Sequence, residues 1–204
     1  MTRTMIEIPS DLHKDVVPLA FLLGTWEGAG VYAPLPGEGG PGAEKCNFGQ
    51  EVVFRHDGRP FLEFRSRTWV LDNEGEKVRP LENEHSFWRV TSNQHGASGE
   101  REIEISSVRD DGTVEIWYGK LHDGKPQIDV ATDAVARIEG SPAYTGGKRL
   151  YGFVNDELLW VGEKAAPEVP LRPYMSGQLK KVLNQAKLIQ DLADLPDDGI
   201  AFFR

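Results

Sequence analysis

A chain of 204 residues, 39% hydrophobic and 27% charged, is long enough for one domain with its own core and too apolar to be disordered. Its formal net charge of −9 comes with no dense run of Lys or Arg, so nucleic acid and an anionic membrane surface are not expected partners. A single cysteine, Cys46, excludes an internal disulfide framework, and no signal-peptide pattern or bilayer-length apolar run occurs, so the expected location is the cytoplasm.

SDLHKDVVPLAFLLG, residues 10–24, opens with Ser10 as a helix N-cap, and Pro18 inside it predicts one or two short helical turns leading into a strand. GTWEGAGVY, residues 24–32, is that strand: Gly24, Trp26, Gly28, Gly30 and Tyr32 share one face, Thr25, Glu27, Ala29 and Val31 the other. Glycine inside a strand costs stability and marks a sharp bend or a close approach to the backbone. A bent strand and a flat ligand lying on the backbone are both open explanations. APLPGEGGPGAEKC, residues 33–46, is too rich in Gly and Pro for regular structure and is expected to be a long loop, with Cys46 in it as a bystander thiol.

Short alternating runs follow, separated by turn signals. They are GQEVVFRH (49–56), FLEFRSRTWVL (61–71), HSFWRV (85–90), EREIEISSV (100–108), TVEIWYGKL (113–121), QIDVATDAVARI (127–138), KRLYGFV (148–154) and ELLWVGEK (157–164). Asp57-Gly58, Asp111-Gly112 and Asp123-Gly124 are strong hairpin turns between them. With the opening strand and a last one around 171–183, the pattern gives about ten up-and-down antiparallel strands. So many hairpins avoid raw edges by closing, and a barrel of about ten strands is expected to be too wide for its side chains to fill, leaving a ligand cavity. The fold expectation is therefore an all-β, ten-stranded antiparallel up-and-down barrel over residues 1–204 as a single domain. Short N-terminal helical turns precede it. A C-terminal tail, 184–204, follows, helical at least over 184–194 by the spacing of its apolar residues, and covers one barrel end.

The histidines His13, His56, His85, His95 and His122 are scattered without metal-site spacing, and no nucleophile, phosphate-loop or dinucleotide motif occurs. No catalytic or metal residue is assigned. The abundant carboxylates are expected to be solvated, at turns and on the polar sides of strands.

GTWEGAGVYAP resembles the G-x-W-x-G-x-G-x-Y-P signature of the nitrobindins, ten-stranded barrels similar to fatty-acid-binding proteins. The motif falls on Gly24, Trp26, Gly28, Gly30 and Tyr32, with Pro34 one residue late. RPFLEFRSRTW (59–69) and EIWYGKLHDG (115–124) resemble two further family segments, so the likeness covers most of 15–183. The resemblance implies haem b in an open pocket at one barrel end, one proximal histidine on the iron, nitric oxide binding and peroxynitrite isomerase activity. The proximal histidine belongs to a P-L-x-P-H-L-x-x-x-L context, which corresponds here to PLRPYMSGQL, residues 170–179, with Tyr174 at the ligand position. A phenol ligates ferric iron only as tyrosinate, and unassisted it ionises near pH 10; Arg172, two residues away, is the candidate group to favour that form. The family also has a short threonine-bearing segment beside the haem where this chain has the 33–46 insertion.

The resemblance thus implies Gly24, Trp26, Gly28, Gly30 and Tyr174 as candidate cofactor-binding residues and haem b as the candidate cofactor. The expected function is a barrel that takes a small apolar or porphyrin-like ligand in its cavity, with iron ligation weakened or lost at Tyr174. One alternative is an active ferric haem protein isomerising peroxynitrite with Tyr174 or water on the iron. Another is a non-catalytic interaction scaffold using the 33–46 loop or the terminal IAFFR.

Overall fold

The computed structural model describes residues 8–36, 38, 44–91, 101–122 and 124–182. Ten strands form in chain order: β1 Gly24–Tyr32, β2 Cys46–Arg55, β3 Leu62–Leu71, β4 Lys77–Val90, β5 Arg101–Arg109, β6 Thr113–Leu121, β7 Gln127–Arg137, β8 Gly146–Val154, β9 Glu157–Ala166 and β10 Val169–Lys181. Each pairs antiparallel with its chain neighbour, and β1 pairs with β10 in register Trp26 to Lys181 through Tyr32 to Met175, closing the barrel. The expected up-and-down barrel is the observed one. Its raw edges vanish on closure, which is the physical reason the hairpins do not stay a flat sheet.

Three local expectations need correction. The opening helix is a 3-10 helix, Lys14–Leu22, that runs through Pro18 and is capped by His13, whose Nδ1 accepts from the Asp15 amide, rather than by Ser10. Cys46 begins β2 instead of sitting in the loop. β4 starts at Lys77, eight residues before the alternating run HSFWRV, because pairing with β3 extends it through a charged stretch containing Pro80, with register shifts on the way. The tail 184–204, with its expected helix, lies outside the described residues, as do residues 37 and 39–43 of the 33–46 segment.

The 3-10 helix plugs one barrel end. Its Val16, Leu19 and Leu22 are fully buried and join Trp26, Phe54, Leu62, Trp88, Ile103, Ile128 and Leu158 in one apolar cluster. Trp26 Nε1 donates to the Leu22 carbonyl at 2.7 Å, pinning β1 to the plug. The glycine face of β1 is explained by the protein itself. A Cβ on Gly28 would stand 2.1 Å from the Gln178 carbonyl oxygen, and one on Gly30 would meet the Ser176 carbonyl oxygen at 2.0 Å and the Phe48 ring at 2.7 Å. The close neighbour is the backbone of β10 together with Phe48, and no ligand is needed to account for the missing side chains.

The expectation of a hollow interior is overturned. The space enclosed among Gln50, Thr68, Glu84, Arg149, Tyr151 and Trp160 is only ≈20 Å³, room for about one water. The ten-stranded cylinder is filled because its inward positions carry large side chains: Trp26, Trp88, Trp117, Phe48 and Phe54 are all 2% exposed or less, and Arg109 and Arg149 are 3% and 7% exposed.

Candidate functional site at the barrel mouth

Strand alternation places charges on the same inward face as the core. In β6, Thr113, Glu115, Trp117 and Leu121 are buried; in β5, Ile103, Ile105, Ser107 and Arg109; in β8, Gly147, Arg149 and Tyr151; in β4, Glu84, Ser86 and Trp88. Each charge stands toward the strand end away from the plug, so together they form a polar layer above the apolar cluster. The expectation of solvated carboxylates fails at Glu84 and Glu115, which are 4% and 0% exposed.

The layer is built from paired ions. Arg109 donates from Nε and Nη2 to the two oxygens of Glu115, both at 3.0 Å, and its Nη1 lies 3.6 Å from Glu82 Oε2. Arg149 Nη2 lies 2.7 Å from Glu84 Oε2, with its guanidinium 4.6 Å above the Trp117 ring. The Tyr144 hydroxyl donates to Glu115 at 2.6 Å. Nearest the mouth, Lys164 Nζ donates to Glu38 Oε1 at 3.1 Å. Buried charges require such partners, since an unpaired one costs several kcal/mol. Burial pushes the Glu84 carboxyl up, but Arg149 outweighs it and holds the group below the ordinary carboxylate range. Glu115 goes the other way: burial raises it and Arg109 only partly offsets the rise.

Tyr174 sits beneath this mouth. The pairing of β10 with β9 slips between Pro173 and Met175, so that Tyr174 and Met175 are both turned inward and both 3% exposed. The phenol packs with Leu35, Phe48 and Met175, and the Tyr32 ring meets it edge-on at 6.4 Å. Lys164 Nζ stands 4.7 Å from its ring centroid. Its Oη has no hydrogen-bond partner among the described residues. Burial, followed by the Glu82 carboxylate, pushes the phenol well above its ordinary value near 10, and the cations that pull against this are Arg109 and Arg149. Arg172, the group expected to favour phenolate, is exposed and takes no part.

Above Lys164 a hollow of ≈470 Å³ opens to solvent. Tyr32, Leu35, Leu81, Ala166 and Val169 supply its apolar wall; Glu38, Glu82, Asp110, Asp111 and Lys164 supply its charges. Tyr174 does not line it. The other candidate residues are not gathered here: Gly24 and Trp26 lie toward the plug, Gly28 is packed against β10, and Gly30 borders an outer-wall groove. Residues that matter to the mouth and were not singled out from sequence are Glu38, Glu82, Glu84, Arg109, Glu115, Arg149 and Lys164. The available signal was alternation: most of them keep step with buried neighbours such as Trp88, Ile105, Trp117 and Tyr151.

An axially ligated haem does not fit these residues. The side chain at the position that the resemblance implies for the iron ligand is a neutral phenol, an ammonium and its carboxylate partner stand over it, and the interior has no space for a ring.

Residues 15–181 match the model of a family described as a THAP4-like, heme-binding beta-barrel domain. The chain is 63% identical to a ferric nitrobindin-like protein of Streptomyces coelicolor, over 98% of this chain and all of that one. It is 42% identical to a peroxynitrite isomerase of a Nocardioides species, over 85% of this chain and 96% of the relative. In fold it resembles the crystal structure of Rv2717c from M. tuberculosis, with a TM-score of 0.68 at 23% identity, covering 84% of this chain and 99% of that one.

Proposed function

The chain belongs to the nitrobindin family of heme-binding β-barrels, and from that premise we propose that it takes a flat, largely apolar ligand at the barrel mouth without a protein side chain on iron. The supporting observation is the environment of Tyr174. Iron ligation by that residue requires a phenolate reachable from the mouth; the phenol is instead neutral, buried, and covered by the Lys164–Glu38 pair. The ≈470 Å³ hollow above the pair, with Tyr32, Leu35 and Val169 on its wall, has the size and mixed lining of a small-molecule site. The candidate roles of Gly24, Trp26, Gly28 and Gly30 are then indirect: they shape β1 and its packing on β10 and the plug, which in turn position the mouth.

A second reading, ferric haem with peroxynitrite isomerase activity, draws support from the name of the Nocardioides relative. Titration with hemin and with metal-free protoporphyrin IX, read by quenching of tryptophan fluorescence, separates the two. The rings are identical, so the difference in affinity isolates what iron contributes. A mouth that ignores the metal binds both with affinities within about threefold, less than 1 kcal/mol apart. Hemin binding about a hundredfold tighter would favour the second reading, and failure of both to bind would remove the mouth as the site.

A further inference from the structure

The two ends of the barrel differ in charge. At the mouth, four carboxylates line the hollow against the ammonium of Lys164. At the plug end a separate hollow of ≈480 Å³ opens between the 3-10 helix and the turn from β6 to β7. Its charged lining among the described residues is wholly basic: Lys14, Arg101 and Lys125, with His122 beside them. Phe21 and Leu121, both buried, form part of an apolar floor.

Three features single this cleft out. Lys14, Arg101 and Lys125 have no carboxylate partner among the described residues, whereas every cation of the barrel interior has one. The adjacent carboxylate, Asp129, is turned to His122 Nε2 at 2.5 Å and to Gln127 Nε2 at 3.0 Å, which fixes the imidazole at the rim. The protein as a whole carries a charge of −9, whereas the charged lining of this cleft among the described residues is three cations around one apolar floor. Cations at a rim above apolar surface recognise a molecule with an anionic head and an apolar body, and a concave wall concentrates the attraction.

We propose that this cleft is a binding site for an amphipathic organic anion, a carboxylate or sulfonate on a short or flat apolar body. The anionic head meets the rim of Lys14, Arg101 and Lys125, and the body lies on Phe21 and Leu121. The site is separate from the mouth: the two hollows share no lining residue and open at opposite ends of the barrel.

A matched pair of fluorescent probes tests it: 8-anilinonaphthalene-1-sulfonate and N-phenyl-1-naphthylamine, which share their rings and differ in the sulfonate. The sulfonate is expected to bind one to one, at least tenfold tighter than the neutral amine, and to weaken severalfold as added salt screens the rim. Arg101→Gln combined with Lys125→Gln should reduce sulfonate affinity at least tenfold and leave the neutral probe within twofold; Lys14→Gln alone should reduce it by a smaller factor. All three side chains are exposed, so the barrel tolerates the changes. Octanoate should displace the sulfonate from the wild type. Equal affinity for the two probes, sulfonate affinity untouched by the variants, or no sulfonate binding at all would overturn the site.

Discussion

Tyr174 shows how much a single position depends on its surroundings. Its hydroxyl is buried, has no hydrogen-bond partner among the described residues, and lies close to carboxylates that disfavour its ionised form. A buried polar group without a partner costs about 1–3 kcal/mol relative to a satisfied one. Tyr174→Phe should therefore leave stability unchanged or raise it by up to about 1 kcal/mol, read as the urea midpoint; a marked loss would show that the hydroxyl has a role these contacts do not contain. Placing a histidine at 174 is a different matter. Tyr174→His alone leaves Lys164 and Glu38 over the ring, so a ferric-histidine spectrum on hemin addition should appear in Tyr174→His with Lys164→Ala and stay weak in Tyr174→His by itself. Tyr174 was legible as a candidate position, because PLRPY resembles the family's ligand-bearing segment. Its burial was not: simple alternation from Leu179, Gly177 and Met175 puts Pro173 inward, and only the slip between Pro173 and Met175 turns Tyr174 in.

At the scale of elements, the glycine face of β1 exists because β10 lies against it. Gly28→Ala would set a methyl 2.1 Å from a backbone oxygen that no side-chain rotation can move. It should cost about 3 kcal/mol or more by overpacking. Gly152→Ala in β8, where an added Cβ meets nothing within 4 Å, is the matched control and should change stability by less than about 1 kcal/mol. Chemical denaturation of the two variants checks the contrast, and comparable losses would contradict it. The strands themselves were largely legible, since period-2 alternation and Asp-Gly turns are local signals. Only residues 85–90 of β4 are legible as a strand, because the eight before them carry no apolar alternation and are held in the sheet by β3. The 3-10 helix was legible only as helical turns, since burial of Val16, Leu19 and Leu22 against the barrel end, not local preference, carries it through Pro18.

For the whole molecule, the decisive feature is a filled interior with a layer of paired ions between an apolar plug and an open mouth. Counting strands suggested a cavity, and side-chain volume removed it; strand number fixes the cylinder's width, while the contents depend on which residues alternate inward. Four of the five tyrosines, Tyr32, Tyr144, Tyr151 and Tyr174, are held neutral above their ordinary range, Tyr32 and Tyr151 at about 12, with burial the first cause in each case. Raised folded-state values mean that the stability these groups contribute is complete below pH 10 and is lost as pH rises through their folded values. Stability should therefore fall steeply above about pH 10, and phenolate absorbance from these four should appear together with loss of the barrel's circular dichroism. At the acid end Glu84 has the opposite sign: its lowered value supports the fold above about pH 4.5, and that support is lost on further acidification. Phenolate appearing well before unfolding would show that the interior admits hydroxide and is looser than these contacts allow.

The most direct measurement is a hemin titration of the wild type and of Tyr174→Phe, recorded by Soret absorbance and by electron paramagnetic resonance of the ferric iron. A neutral phenol shielded by Lys164 gives indistinguishable spectra and affinities in the two proteins. Loss of a tyrosinate signature, or an affinity drop of tenfold or more in the phenylalanine variant, would mean that residue 174 reaches the iron after all.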